Sequence, residues 1–300
     1  MSHFSRRQFL GCCAGVAASC VWKSSLAQAA KEVPVPPGFD MAYGLVTYQW
    51  GKDWDLPTLI QNCEKAGVVG VELRTTHAHG VEPTLNAKQR AEVQRAFQKS
   101  PVVLVGIGSN ERFDNPDPAV VRKAIKASKA FIRLSHDVGG SGVKVKPDRF
   151  HDKVPHEKTI EQIGSALNEL GEYGAGFGQQ IRLEVHGQCA ELPTIKAIMD
   201  VADDRNVAVC WNSNQQDLQG EGLAANYELV KKRFGATCHV RELDSKDYPY
   251  QELINLMVKD DYSGYVMIEA SSQHEDRVAA LAAQVRLFKK MVATAQKSLG

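Results

Sequence analysis

The chain has 300 residues and a formal net charge of +1, from 36 Lys and Arg against 35 Asp and Glu. Hydrophobic residues make up 43% and charged residues 24%, a balance that excludes collagenous and low-complexity chains. There is no basic excess of the kind nucleic-acid binding needs and no run of about 18 apolar residues that could span a bilayer, and the length admits one large domain or two ordinary ones.

The first segment reads as an address. Ser5-Arg6-Arg7-Gln8-Phe9-Leu10-Gly11, followed by a moderately apolar run up to Trp22, resembles a twin-arginine export signal. Ala27-Gln28-Ala29 supplies the small-x-small pattern of a signal-peptidase site, so cleavage is expected after Ala29 and the mature protein is expected in the periplasm. A disordered basic terminus is the structural alternative. Lipid attachment at Cys20 is disfavoured because Ala17 stands where a larger aliphatic residue is preferred. Loss of residues 1–29 removes Arg6, Arg7 and Lys23, leaving 33 cations against 35 acids and a formal charge of −2. Four cysteines then remain, Cys63, Cys189, Cys210 and Cys238. They lack the dense spacing of a disulfide scaffold, and Cys210 and Cys238 lie in apolar runs as buried small hydrophobes do.

Residues 30–40 form a Pro-rich extended leader. Beyond it, short strand-type runs are expected at 42–50, 68–74, 102–109, 142–146, 181–186, 207–212, 237–243 and 265–270. Helical stretches alternate with them at 56–66, 87–99, 118–138, 159–173, 192–203, 226–234, 250–259 and 272–298. Strands alternating with helices imply parallel βαβ units, and eight units in about 260 residues is the size of a single-domain (β/α)8 TIM barrel over residues 41–300. An open doubly wound sheet is the rival, but Thr47-Tyr48-Gln49-Trp50-Gly51 is no phosphate loop.

Alternate residues of a strand face opposite sides. Glu72 and Arg74, Lys144 and Lys146, Glu184 and His186, and His239 and Arg241 each share one parity, with apolar residues on the other, and Glu269 stands alone on its strand. Five strands placing a charge or a His inward exceed what structure alone requires, since unpaired buried charge is costly. The carboxyl ends of barrel strands are where such side chains build a site.

These residues resemble the xylose-isomerase-like barrels of the sugar phosphate isomerase/epimerase group over residues 41–291. The resemblance is carried by Cys63-Glu64-Lys65-Ala66-Gly67-Val68-Val69-Gly70-Val71-Glu72-Leu73, by Leu134-Ser135-His136-Asp137-Val138-Gly139 with Gly142-Val143-Lys144-Val145, and by the order of the late strands. It implies a divalent Mn, Zn or Co ion held by Glu, Asp, His and Glu from the last four strands. Glu184 and Glu269 match this pattern. Asn212 stands where Asp is expected, and the best register places Arg241 where His is expected. Asn brings no charge, and Arg cannot ligate a cation. His186 or His239 could supply the missing nitrogen, or Arg241 could replace the ion and pair with the glutamates.

The resemblance implies proton removal from a small carbohydrate beside a carbonyl or hydroxyl-bearing carbon. That chemistry needs a carboxylate base and an electrophile for the enediolate oxygens. Glu184, Glu269 and Arg241 are the catalytic candidates. Lys144, Lys146, His186, Asn214 and Trp211 are the substrate-binding candidates, Trp211 by stacking on a sugar, with core packing as its alternative. Glu184, Asn212 and Glu269 are the metal candidates. The pair His77 and His79 in a top loop could chelate or be ordinary loop histidines. The rival functions are a non-catalytic sugar-binding barrel that lost its metal and a DNA-repair endonuclease of the same fold, the latter opposed by the charge and the export signal. No nucleic-acid partner is expected, no membrane association after cleavage, and a homo-oligomer stays open.

Overall fold

A computed structural model describes residues 41–299. The export signal, its cleavage site, Cys20 and the leader lie outside the described residues. Eight strands alternate with eight helices: β1 Ala42–Val46, α1 Leu56–Ala66, β2 Gly70–Arg74, α2 Ala87–Gln98, β3 Val103–Arg112, α3 Pro118–Val138, β4 Gly142–Lys146, α4 His156–Ala175, β5 Gln180–Glu184, α5 Leu192–Val201, β6 Val207–Cys210, α6 Leu223–Val230, β7 Thr237–Val240, α7 Tyr250–Lys259, β8 Tyr265–Ile268 and α8 Arg277–Leu299. All the paired strands run parallel, in the order β6-β5-β4-β3-β2-β1-β8-β7. Bridges Val209–Phe234 and Asn212–His239 join the two ends of the sheet, and the His239 amide donates to the Trp211 carbonyl at 2.6 Å. This is the expected single-domain (β/α)8 barrel.

Local chemistry sets the helix ends. Asp55 caps α1 by accepting from the Thr58 amide at 2.9 Å, Pro57 sits in the first turn, and Gly67 ends the helix at φ 76°. That left-handed turn suits glycine because it lacks a Cβ. Asp117, Pro118 and Gly139 repeat the device around α3. The helix expected from residue 272 begins only at Arg277, because the Ser271 and Ser272 amides are drawn onto Glu242 Oε1 (3.2 and 2.8 Å). Several strands also stop short of their expected carboxyl ends: β5 at Glu184, β7 at Val240 and β8 at Ile268. There the chain leaves the ladder to form the rim.

The strand parity separates two cores. Outward residues such as Val71, Leu73, Val143, Val145, Leu183, Val209 and Ile268 pack with the helices in one large cluster. Inside the ring, Ala42, Val46, Val105, Tyr265 and Met267 form a second, small cluster. Its large members fit because their neighbours are glycine: a Cβ on Gly44 would lie 2.2 Å from Met267 Sδ, and one on Gly70 2.4 Å from the Tyr265 ring. The four described cysteines are buried with free thiols. Among the described residues no helix is long and apolar enough to cross a membrane.

Candidate active site at the barrel mouth

Above the apolar plug, the inward positions become charged. Glu72 from β2, Lys144 from β4, Glu184 from β5 and His239 from β7 are all at most 1% exposed. Space for them comes partly from Gly108 on β3, where a Cβ would approach Glu72 Oε1 to 2.9 Å. Lys144 Nζ donates to Glu184 Oε2 at 2.6 Å, and Asn212 Nδ2 donates to Glu184 Oε1 at 3.0 Å. Both Glu184 oxygens are therefore held. Glu269 follows β8 and reaches the same point, with its carboxylate 3.7 Å from His239 Nδ1.

His239 lies at the centre. Its Nδ1 is 3.6 Å from Glu184 Oε1, and its Nε2 is 3.3 Å from Glu72 Oε1. Neither ring nitrogen makes a hydrogen bond, and neither oxygen of Glu72 does. Buried polar atoms are rarely left this way without a functional reason.

The electrostatics divide the two mouth glutamates. Burial alone would raise the Glu184 carboxyl, but Lys144 and His239 outweigh it and hold that carboxyl well below the ordinary range. Burial and then the neighbouring Glu184 push the Glu269 carboxyl up. Burial opposes charge on His239 and Lys144 too. Cys210, Glu72 and Glu184 nonetheless raise the imidazole well above its usual value, and Glu184, Glu269 and Glu72 raise the amine.

A cavity of ≈ 390 Å³ opens over this floor, its wall formed by Tyr48, Arg74, Lys146, His186 and Arg241 among others. Lys146 Nζ lies 3.4 Å from His186 Nε2, and His186 Nδ1 lies 3.0 Å from Asp148 Oδ1. Burial lowers both Lys146 and His186 from their ordinary values. The cavity is thus walled largely by donors over a carboxylate floor, which suits a ligand rich in oxygen.

Several expectations need correction. His239, not Arg241, stands between the glutamates. Arg241 lies beyond the end of β7, exposed on the rim of the cavity that Glu184 and Glu269 also line, and among the described residues no ion pair joins it to either glutamate. The two residues share one parity, and the structure brings the one two positions earlier to the floor. Lys144, expected to meet substrate, has a side chain with no exposure and serves as an internal counter-ion. Trp211 is wholly buried and packs against Tyr227 and Phe234 at about 6 Å, so it offers no face to a sugar. Trp50 is equally enclosed. Asn214 is at the rim, but its amide donates to the Val185 and Asn212 carbonyls at 2.7 Å each. His77 and His79 do not converge: His79 bonds the Arg74 carbonyl and the Val81 amide, and the two rings are 6.1 Å apart. Glu72, an inward charge by strand parity, joins the site through His239.

The donor set suits a divalent ion at three points. Glu184, His239 and Glu269 each bring one ligand atom within 4.8 Å of the others. Bonds of about 2.1 Å in tetrahedral array would separate ligand atoms by roughly 3.4 Å. The 3.6 and 3.7 Å separations from His239 Nδ1 are close to this, and too long for hydrogen bonds.

The fold is an eight-stranded parallel (β/α)8 barrel, with a carboxylate–histidine floor at the carboxyl ends of its strands. The family model for the xylose isomerase-like TIM barrel matches residues 60–291, and the chain belongs to that family. No curated protein matches the chain. Among solved structures, the 3-keto-D-glucoside 4-epimerase YcjR from E. coli is similar over 83% of this chain and 99% of its own, at TM-score 0.71 and 14% identity. An L-ribulose 3-epimerase is similar over 86% and 97%, at TM-score 0.74 and 14% identity. The IolI protein, with a bound zinc atom, is similar over 85% and 99%, at TM-score 0.69 and 15% identity. At these identities the likeness is one of fold.

Proposed function

We propose that the protein is a sugar isomerase or epimerase. It would act on a small carbohydrate by removing a proton beside a carbonyl or hydroxyl-bearing carbon. The observation that carries this reading is the convergence of Glu184, His239 and Glu269 on the floor of a cavity walled by Arg74, Lys146, His186 and Arg241. The sugar epimerases among its structural relatives support it.

Glu269 is the base in this scheme. Its carboxylate faces the cavity, whereas both Glu184 oxygens are occupied. The C–H bond breaks, Glu269 takes the proton, and the electron pair enters an enediolate whose oxygens the rim cations can hold. The proton then returns to the adjacent carbon in an isomerisation, whereas in an epimerisation a second acid on the cavity wall, such as Lys146 or His186, delivers a proton to the opposite face of the same carbon. Glu184, His239 and Glu269 would hold a divalent ion such as Mn, Zn or Co, and when bound it would polarise a substrate oxygen.

A second reading, a sugar-binding barrel without catalysis, is favoured by two features: the Lys144 cation 2.6 Å from Glu184, and the neutral Asn212 in place of an acid. Deuterium exchange separates the two. D-fructose, L-ribulose and a 3-keto-D-glucoside in deuterated water, followed by proton NMR, should show enzyme-dependent loss of a C–H signal from at least one. Ligands that bind without any exchange or turnover would leave only the binding reading. Elemental analysis of protein purified without chelators should find about one divalent ion per chain, lost in the Glu184→Gln, Glu269→Gln variant.

The proposed protein is exported, on the strength of Arg6-Arg7 and Ala27-Gln28-Ala29. Amino-terminal sequencing of the periplasmic form should begin at Ala30, and changing both Arg6 and Arg7 to Lys should retain the precursor inside the cell.

A further inference from the structure

Glu72 is a carboxylate with no exposure and no hydrogen bond at either oxygen. A buried acid of this kind is expensive, and an apolar side chain of similar size would cost the fold less. The neighbouring strand nevertheless makes room for it with Gly108. What Glu72 faces is His239 Nε2, at 3.3 Å. The opposite ring nitrogen, Nδ1, faces Glu184 and Glu269 at 3.6 and 3.7 Å. A carboxylate facing one imidazole nitrogen favours a proton there, so that a cation displaces the proton of the other nitrogen and takes its lone pair.

We propose that Glu72 is the positioning residue of His239. It sets the rotation of the ring and keeps the proton on Nε2, so that Nδ1 is presented to the cavity floor as a ligand. Glu72 touches neither substrate nor ion and acts only through His239. The inference rests on the reading of Glu184, His239 and Glu269 as a cation site.

Co2+ is the probe. The purified chelator-treated protein is titrated with Co2+ by calorimetry and visible absorption, alongside Glu72→Gln, Glu72→Met and Glu184→Gln. Glu72→Met should weaken Co2+ binding about 10- to 100-fold and alter the absorption bands. Glu72→Gln keeps an oxygen that can accept from Nε2–H, so it should fall between Met and the parent. Equal affinity and identical bands in all Glu72 variants would overturn the proposal. Glu184→Gln tests the cation site itself: binding unaffected there would sink that reading whatever Glu72 does. Imidazole NMR of 15N-histidine protein without metal is a second, independent readout. The His239 Nε2 resonance should move in Glu72→Gln, a folded isosteric change, and an unmoved resonance would also overturn the proposal. A parent that takes up no Co2+ would sink the cation-site reading and this inference with it, and the NMR result decides the matter if Glu72→Met fails to fold.

Discussion

At the base of the barrel Arg182 is as deeply buried as His239 is at the mouth, yet the two are treated in opposite ways. Arg182 Nε donates to Gln180 Oε1 at 2.9 Å, Nη1 to the Val105 carbonyl at 3.3 Å and Nη2 to Ser141 Oγ at 2.5 Å. Around it the interior closes with Ala42, Val105, Tyr265 and Met267. One turn of the pleat higher, Glu72 and His239 leave four polar atoms without a hydrogen bond. A satisfied buried network specifies a fold, whereas an unsatisfied one persists where something else is to be bound or moved. The same strands thus build a base whose charged group is fully bonded, with Gln179 Oε1 beside β5 left unpartnered, and a mouth whose charged groups are not.

The sharpest way to break this contrast is to neutralise one group in each region. Glu269→Gln should lower turnover by about 10²- to 10⁴-fold, the usual contribution of a general base. Its stability to urea should not fall, since the change removes the repulsion between Glu269 and Glu184. A variant with near-parental turnover would take the base role away from Glu269. Arg182→Met should do the reverse. Removing one partner of a buried charged network costs about 3–5 kcal/mol, and Glu72 would lose a counter-charge. Turnover per folded molecule should be much less affected, and an urea midpoint near the parent's would show that the base does not depend on that bonded charge.

A smaller effect is expected at Gly44. An Ala there would press its methyl on Met267 Sδ and on the Gly70 carbonyl, at 2.2 and 2.9 Å before relaxation. Overpacking of this sort costs about 1–3 kcal/mol. Thermal unfolding should show the loss with little change in turnover, because the apolar plug lies beneath the charged layer. An unchanged melting temperature would mean the plug can repack.

The direction in which a strand side chain faces is legible in sequence, and its height along the barrel is not. Alternation in Val71-Glu72-Leu73-Arg74 and Leu183-Glu184-Val185-His186 displays which side chains face inward, and Gly67 and Gly139 mark the ends of α1 and α3. Parity carries no information about height along the barrel axis. His239 and Arg241 are equivalent by parity but differ by two residues of rise, and only the strand end at Val240 places one in the floor and the other on the rim. Trp211 shows the complementary case: it lies beside Asn212 in sequence, but the opposite parity turns it to the helices. The pairing of Lys144 with Glu184 joins adjacent strands 40 residues apart, a relation that needs register as well as alternation.

Asp217 tests the comparison most finely, because it lies in the rim and is neither finished nor free. Its Oδ2 accepts from the Tyr248 hydroxyl at 2.7 Å and the Asn214 amide at 2.9 Å, while Oδ1 is buried without a partner. Burial pushes its carboxyl up to about 7. The folded protein then holds a proton on Asp217 between roughly pH 4 and 7, where the unfolded chain has released it. This group therefore favours the fold at low pH, and its contribution falls as pH rises through that window by about 1.4 kcal/mol per unit. Asp217→Asn cannot ionise. Its stability relative to the parent, followed by urea unfolding at intervals from pH 5 to 8, should improve steadily with pH and level off above about 7. A pH-independent difference would mean that the carboxyl ionises normally in the fold. In that case the loop carrying Asn214 would be as well satisfied as the base, and the unfinished part of the barrel would shrink to the floor around His239.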